Sequence, residues 1–153
     1  MKTALAAAHF AAAVIALATA PRMALAGEPT EAVKPFYLHP GLELEPAERG
    51  RFVDPAKTIL DQNDAIRAGG EGEGCLDPAL PFDDTKYDLT QVMNTLKFTE
   101  SIDDDDAKVV AKFRVPDGSA MLEWKLKRVD GAWKVADIVS VSKDWALSQF
   151  NCE

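Results

Sequence analysis

The chain changes its hydrophobic period once, near residue 91. Upstream, apolar positions recur every three or four residues. In PTEAVKPFYLHP, Ala32, Val33, Phe36 and Tyr37 share a helical face, with Thr30 as a candidate cap. Pro35 removes a backbone donor inside that stretch, which predicts a short or kinked helix. LELEPAERG is polar and reads as a connection. Asp54-Pro55 supplies a cap and a first-turn proline for AKTILDQNDAIRAGG. There Phe52, Ala56, Ile59, Leu60 and Ile66 lie on one face, and Gly69-Gly70 end the helix. GGEGEG reads as a flexible loop, and CLDPALPFDDTKYD as an irregular, turn-rich segment.

From Gln91 the period becomes two. QVMNTLKFTESI reads as a first strand, closed by Asp103 to Asp106. AKVVAKFRV sets Val109, Ala111, Phe113 and Val115 against Lys108, Lys112 and Arg114. PDGS turns the chain into AMLEWKLKRV, with Ala120, Leu122, Trp124 and Leu126 on one face. Asp130-Gly131 turns it again into WKVADIVSVS. Four sequential strands with tight turns form an antiparallel meander, and the lysines predict one solvated face. No crossover helix fits between them, which rules out a parallel sheet. Helices first and strands second give an α+β domain whose N-terminal helices pack on a four-stranded antiparallel meander.

Composition alters the picture at the N-terminus. Lys2, an alanine-rich apolar run and Ala24-Leu25-Ala26 have the layout of a secretory signal peptide, cleaved after Ala26. A membrane anchor fits less well, because His9 interrupts the run and Pro21-Arg22 ends it early. Residues 1–26 are then the signal and 27–153 a single domain, periplasmic or secreted and not inserted in a membrane. The remaining part holds 15 basic against 25 acidic residues, a charge of −10. That charge repels phosphate backbones, so nucleic acid is not an expected partner.

Cys75 and Cys152 are the only cysteines. In an oxidising compartment they form one disulfide by default, closing a span of 77 residues. On the chain-entropy picture such a loop stabilises by about 4.5 kcal/mol. A reactive thiol needs a basic neighbour, and GEGEGCLD and FNCE are acidic surroundings.

FYLHPG, GCLDPALPFD, YDL and VDGAWKVADI resemble a family of small exported bacterial proteins classed as a domain of unknown function. VDGAWKVADI also resembles the last strands of the nuclear-transport-factor-two-like, or cystatin-like, fold. The resemblance spans roughly residues 30–152 and implies a cone, a bent sheet wrapped around the helices with a cavity between them. That fold group includes isomerases, dehydratases and non-catalytic binding modules, so fold does not choose function.

Candidate chemistry is sparse. His39, the one histidine after residue 26, sits between Leu38 and Pro40 and reads as a loop or structural residue. A zinc site needs more His or Cys ligands than remain, and no cofactor is implied. Asp103 to Asp106 reads as a solvated turn, since adjacent carboxylates diverge and the spaced ligands of a calcium loop are missing. Asp77, Asp83 and Asp84 flank Leu80 and Phe82, with Asp77 placed to cap a local turn. Asp137 is the sharpest, though weak, catalytic candidate. By alternation it shares the apolar face of Trp133, Val135 and Val139, where a carboxyl would have a raised pKa and serve as a general base. Its alternative is a structural acceptor that fixes how the elements pack.

Three functions follow. The first is an exported non-catalytic module binding a small ligand, peptide or protein. The second is an isomerase- or dehydratase-type enzyme using Asp137. The third is an inhibitor or immunity protein whose acidic surface caps a secreted partner. The absence of histidine, metal and nucleophile motifs in the sequence favours the first and third.

Overall fold

In a computed structural model, the described residues are 28–70, 74–84 and 86–152. The expected signal segment and the centre of the GGEGEG loop lie outside them. The order is α1 (Pro29–Leu38), α2 (Ala56–Ala68), α3 (Leu89–Thr95), then β1 (Lys97–Asp103), β2 (Asp106–Val115), β3 (Gly118–Val129), β4 (Ala132–Ser140) and β5 (Trp145–Ala146). Every strand pairs antiparallel with its neighbour in sequence, giving one sheet in the order β1-β2-β3-β4-β5. The α+β class holds, and the sheet has five strands rather than four. None of the described helices is long and apolar enough to cross a membrane.

Several local expectations change. The stretch expected to open the first strand is helical through Thr95. Asp88 Oδ1 accepts the Gln91 N–H at 2.9 Å and caps α3, and Val92 turns into the core. The helix α1 runs its ten residues through Pro35, which forgoes one backbone hydrogen bond. Thr30 is not its cap. The Thr30 amide and hydroxyl instead donate to Glu100 on β1, so the helix start is held by the sheet edge. The helix α2 begins at Ala56 with Pro55 in the cap position, while Asp54 Oδ1 accepts from the Thr58 hydroxyl at 2.8 Å. LELEPAERG, expected as a polar connection, forms two 3₁₀ turns (Leu42–Leu44 and Pro46–Arg51) that bury Glu43, Leu44 and Arg49.

The helices cover one face of the sheet. Val109, Ala111, Phe113, Ala120, Leu122, Trp124 and Leu126 all point inward, as their alternation predicts. Phe36 stacks on Trp124 at 5.0 Å and tilts against Phe52 at 5.4 Å. Tyr37 stands edge-on to Phe82, Phe98, Phe113 and Trp124, at 5.5 to 6.0 Å. Trp124 Nε1 donates to the Tyr37 hydroxyl at 3.1 Å, which satisfies both polar ends in an apolar interior. Aromatic side chains therefore pack the interior between the helices and the sheet.

The hairpin at Asp130-Gly131 forms as read, with both residues at positive φ (53° and 78°), the geometry of a two-residue turn that follows strand twist. Trp133 opens β4 on the inner side, 8% exposed, with the Arg128 guanidinium 4.4 Å above its ring. Two residues further the alternation breaks. Leu126 pairs with Val135 and Lys125 with Asp137, so Ala136 is an extra, unpaired residue. This β-bulge shifts the phase of the rest of β4.

The sequence-distant half is tied down by polar contacts. Asn63, fully buried on α2, accepts the Cys75 and Leu76 amides on Oδ1 at 2.9 and 3.0 Å. Gly74, just before them, has φ +95°, and a side chain there would overlap Asn63 Oδ1. Next to this clamp Cys75 and Cys152 meet in a disulfide, with their Cα atoms 5.6 Å apart. It joins the loop after α2 to the chain's C-terminal end.

Candidate functional site

The uncovered face of the sheet carries the Asp137 site. Register places Ser101, Lys108, Lys125 and Asp137 opposite one another across β1 to β4. These residues, with Glu123, Asp103, Asp106 and Lys127, line an open groove of about 650 Å³, and Pro55 closes its β4 edge. Lys108 and Lys125 face each other in register, and acids flank them. Lys108 meets Glu123 at 3.0 Å, Lys127 meets Asp106 at 3.4 Å, and Lys125 lies 3.9 Å from Asp137.

Asp137 is therefore not on the face of Trp133 and Val135. The bulge at Ala136 sends it to the outer face, beside Lys125, while Ile138 takes the inward position opposite Trp124. It is nonetheless only 6% exposed, because the turn after β5 folds over it. Asp137 Oδ1 accepts the Ile138 and Ser148 amides, each at 3.0 Å, and Oδ2 accepts the Ser148 hydroxyl at 2.8 Å. The β4–β5 register, with Val139 opposite Ala146, would bring Ser148 opposite Asp137. The carboxylate thus takes the place of a strand carbonyl and ends the ladder. Three donors on one carboxylate describe an acceptor built into the fold. The bulge also leaves room on the other side, where the Val53 amide donates to the Val135 carbonyl at 2.9 Å.

The other candidates separate in space. His39 is exposed at the C-terminal end of α1, where its amide donates to the Pro35 carbonyl. In the acidic turn, Asp104 and Asp105 form the β1–β2 connection while Asp103 and Asp106 pair across it. The Asp105 carbonyl accepts the Arg128 amide at 2.7 Å, which couples this turn to the Asp130-Gly131 end of the sheet. Asp77 Oδ1 accepts the Ala79 amide at 2.8 Å, the local turn expected of it. Asp83 and Asp84 lie near β5, where Asp83 Oδ1 accepts the Trp145 indole N–H at 2.9 Å.

Glu43 is a group the sequence did not single out. It is fully buried, and neither carboxylate oxygen has a hydrogen-bond partner of good geometry. Burial pushes its pKa from an ordinary 4.5 up to about 8; the nearby Glu43 and Gly41 amides pull it down less, and the Asp77 charge adds to the rise. Arg49 holds the same turn by donating to the Glu43 carbonyl at 2.9 Å. Burial also holds the Tyr37 hydroxyl protonated far above its ordinary range. A perturbed carboxyl in a cleft suggests catalysis, but Glu43 is sealed from solvent. Its effect falls on stability.

No known protein family and no curated protein matches the chain. Among solved structures, the crystal structure of the type VI native effector-immunity complex Tae3-Tai3 from Ralstonia pickettii is similar at 19% identity. The match covers 81% of this chain and 98% of that chain, with a TM-score of 0.49. A likeness this distant does not reach function.

Two measurements test these assignments. Asp137→Asn keeps the shape but removes the charge that three donors share. It should lower stability at pH 7 by about 1–3 kcal/mol in denaturant melts. A more stable variant would instead describe a strained carboxylate and restore the general-base role. For Glu43 the folded pKa is raised, so its contribution is present in full below pH 4.5 and is lost as pH rises through about 8. Glu43→Gln should lose less stability than wild type between pH 5 and pH 9, by about 2–4 kcal/mol. Parallel pH profiles for the two proteins would show that the carboxyl ionises freely in the folded state.

Proposed function

We propose that the chain is an exported, non-catalytic module that binds another protein through the outer face of its sheet. The observation that carries this reading is the open groove at Asp137. It presents lysines ion-paired to neighbouring acids on a rigid sheet, and its buried carboxylate is already taken up by Ser148 and Ile138. Rigid, charge-patterned surfaces recognise partners by electrostatic complementarity.

The narrower form is an inhibitor or immunity protein for a basic secreted partner. Asp103, Asp104, Asp105, Asp106 and Asp130 gather at one end of the same sheet, where two hairpin turns meet. This concentrates negative charge beside the groove and favours a partner with a basic surface. We also infer the cleaved signal ending at Ala26, and membership of the exported family and the cone-like fold suggested by VDGAWKVADI. A single meander packed on N-terminal helices supports the fold assignment.

Photo-crosslinking in the native cell tests the binding face. A crosslinking residue at Lys108 or Lys125 should give one discrete protein adduct, and the same residue at Lys57 on α2 should give none. The adduct-bearing chain should begin at Gly27. Equal labelling from all three positions, or none from the sheet, would remove the outer face as the docking surface.

A further inference from the structure

A second groove lies at the β5 edge and shares no lining residue with the first. It encloses about 280 Å³ and is walled by Leu80, Trp145 and Phe150, with Asp77, Asp83 and Asp84 supplying the charge. The two rings meet edge to face at 5.9 Å. We propose that this groove binds an alkylguanidinium, the side chain of an arginine presented by another molecule.

The three carboxylates share one arrangement. Each spends an oxygen on the fold: Asp77 Oδ1 on the Ala79 amide, Asp83 Oδ1 on the Trp145 indole, Asp84 Oδ1 on the Lys86 amide. Asp77 and Asp83 keep a second oxygen outside these bonds, while Asp84 Oδ2 faces Lys143. Asp83 decides the matter, because it is only 6% exposed and its Oδ2 is buried without a partner. A buried acceptor left unpaired is costly, so a donor that reaches it gains more than an ordinary surface hydrogen bond. The residue is held there with φ 58°, at the end of the Leu80–Phe82 turn.

One cation is already drawn to the site. Lys143 donates its ammonium to the Asp83 carbonyl and lies 3.5 Å from Asp84 Oδ2. It offsets one of the three negative charges and leaves Asp83 Oδ2 unanswered. A guanidinium suits the remainder better than a second ammonium. Its planar fork offers five N–H donors, enough to bridge separate carboxylates, and its face stacks on indole and phenyl rings. The volume admits one such side chain and not a folded peptide. The Lys86 amide and then Lys143 hold the Asp84 carboxyl below its usual range.

Titration of the full chain with Nα-acetyl-arginine amide, followed by the ¹H–¹⁵N signal of the Trp145 indole, tests this directly. The signal should move saturably in the millimolar range. The neutral isostere Nα-acetyl-citrulline amide should give no saturable shift. The double substitution Asp77→Asn with Asp84→Asn keeps both loop acceptors and should weaken binding at least five-fold. The Trp124 and Trp133 indole signals report that the variant is folded. Absence of a saturable shift, equal response to citrulline, or undiminished binding by the folded variant would each overturn the site. If the variant is misfolded, the comparison of arginine with citrulline in wild type decides alone.

Discussion

The bulge at Ala136 governs the functional half of this protein. A regular β4 would keep Asp137 on the side of Trp133 and Val135, among the aromatic rings of the core. An ionised carboxylate there would lack partners and would be strongly disfavoured. One unpaired residue moves Asp137 to the outer face and leaves Ile138 against Trp124. The same slip positions the carboxylate where Ser148 can reach it with both amide and hydroxyl. The chain's last turn is then fixed beside β4, and Cys152 follows close enough to meet Cys75. Sheet, C-terminal turn and disulfide form one connected unit.

Most of the fold was legible because it rests on period and turn chemistry. Val109, Phe113, Leu122 and Trp124 alternate inward, and Asp130-Gly131 forms the turn their spacing requires. What failed was local and has physical causes. A bulge adds one residue without changing composition, so WKVADIVS reads as regular alternation and Asp137 lands on the wrong face. Gln91 to Thr95 looks like a strand start, yet the Asp88 cap is worth about 1 kcal/mol to a helix and decides the matter. Asn63 did carry a signal. It lies on the apolar stripe of Ala56, Ile59 and Leu60, and a polar residue on such a stripe implies a buried hydrogen bond. Glu43 carried none, because its burial depends on how two short turns fold back on α1. The fifth strand is two residues long, below what periodicity can register.

The polar interior is thus used in two ways. Asn63 and Asp137 are satisfied acceptors that hold loops to regular elements. Glu43 and Asp83 are buried acceptors with oxygens left over. The first of these is neutralised by protonation near neutral pH, while the second belongs to a residue that borders the β5-edge groove. Neither arrangement supplies a nucleophile paired with a base. Both proposed binding surfaces sit on the sheet or at its edge, where a rigid backbone fixes the spacing of charges. This is what selective docking needs.

Asp137 is an acceptor that locks the C-terminal turn and not a free base. Native-state hydrogen exchange at the Ser148 amide measures this most directly. The amide should be protected in wild type at neutral pH, to an extent comparable with core β4 amides. In Asp137→Ala it should exchange at least ten-fold faster while the Trp124 amide stays protected. Rapid exchange of the Ser148 amide in the wild-type protein would contradict the account, since it would leave the Asp137 carboxylate free on the floor of an open groove.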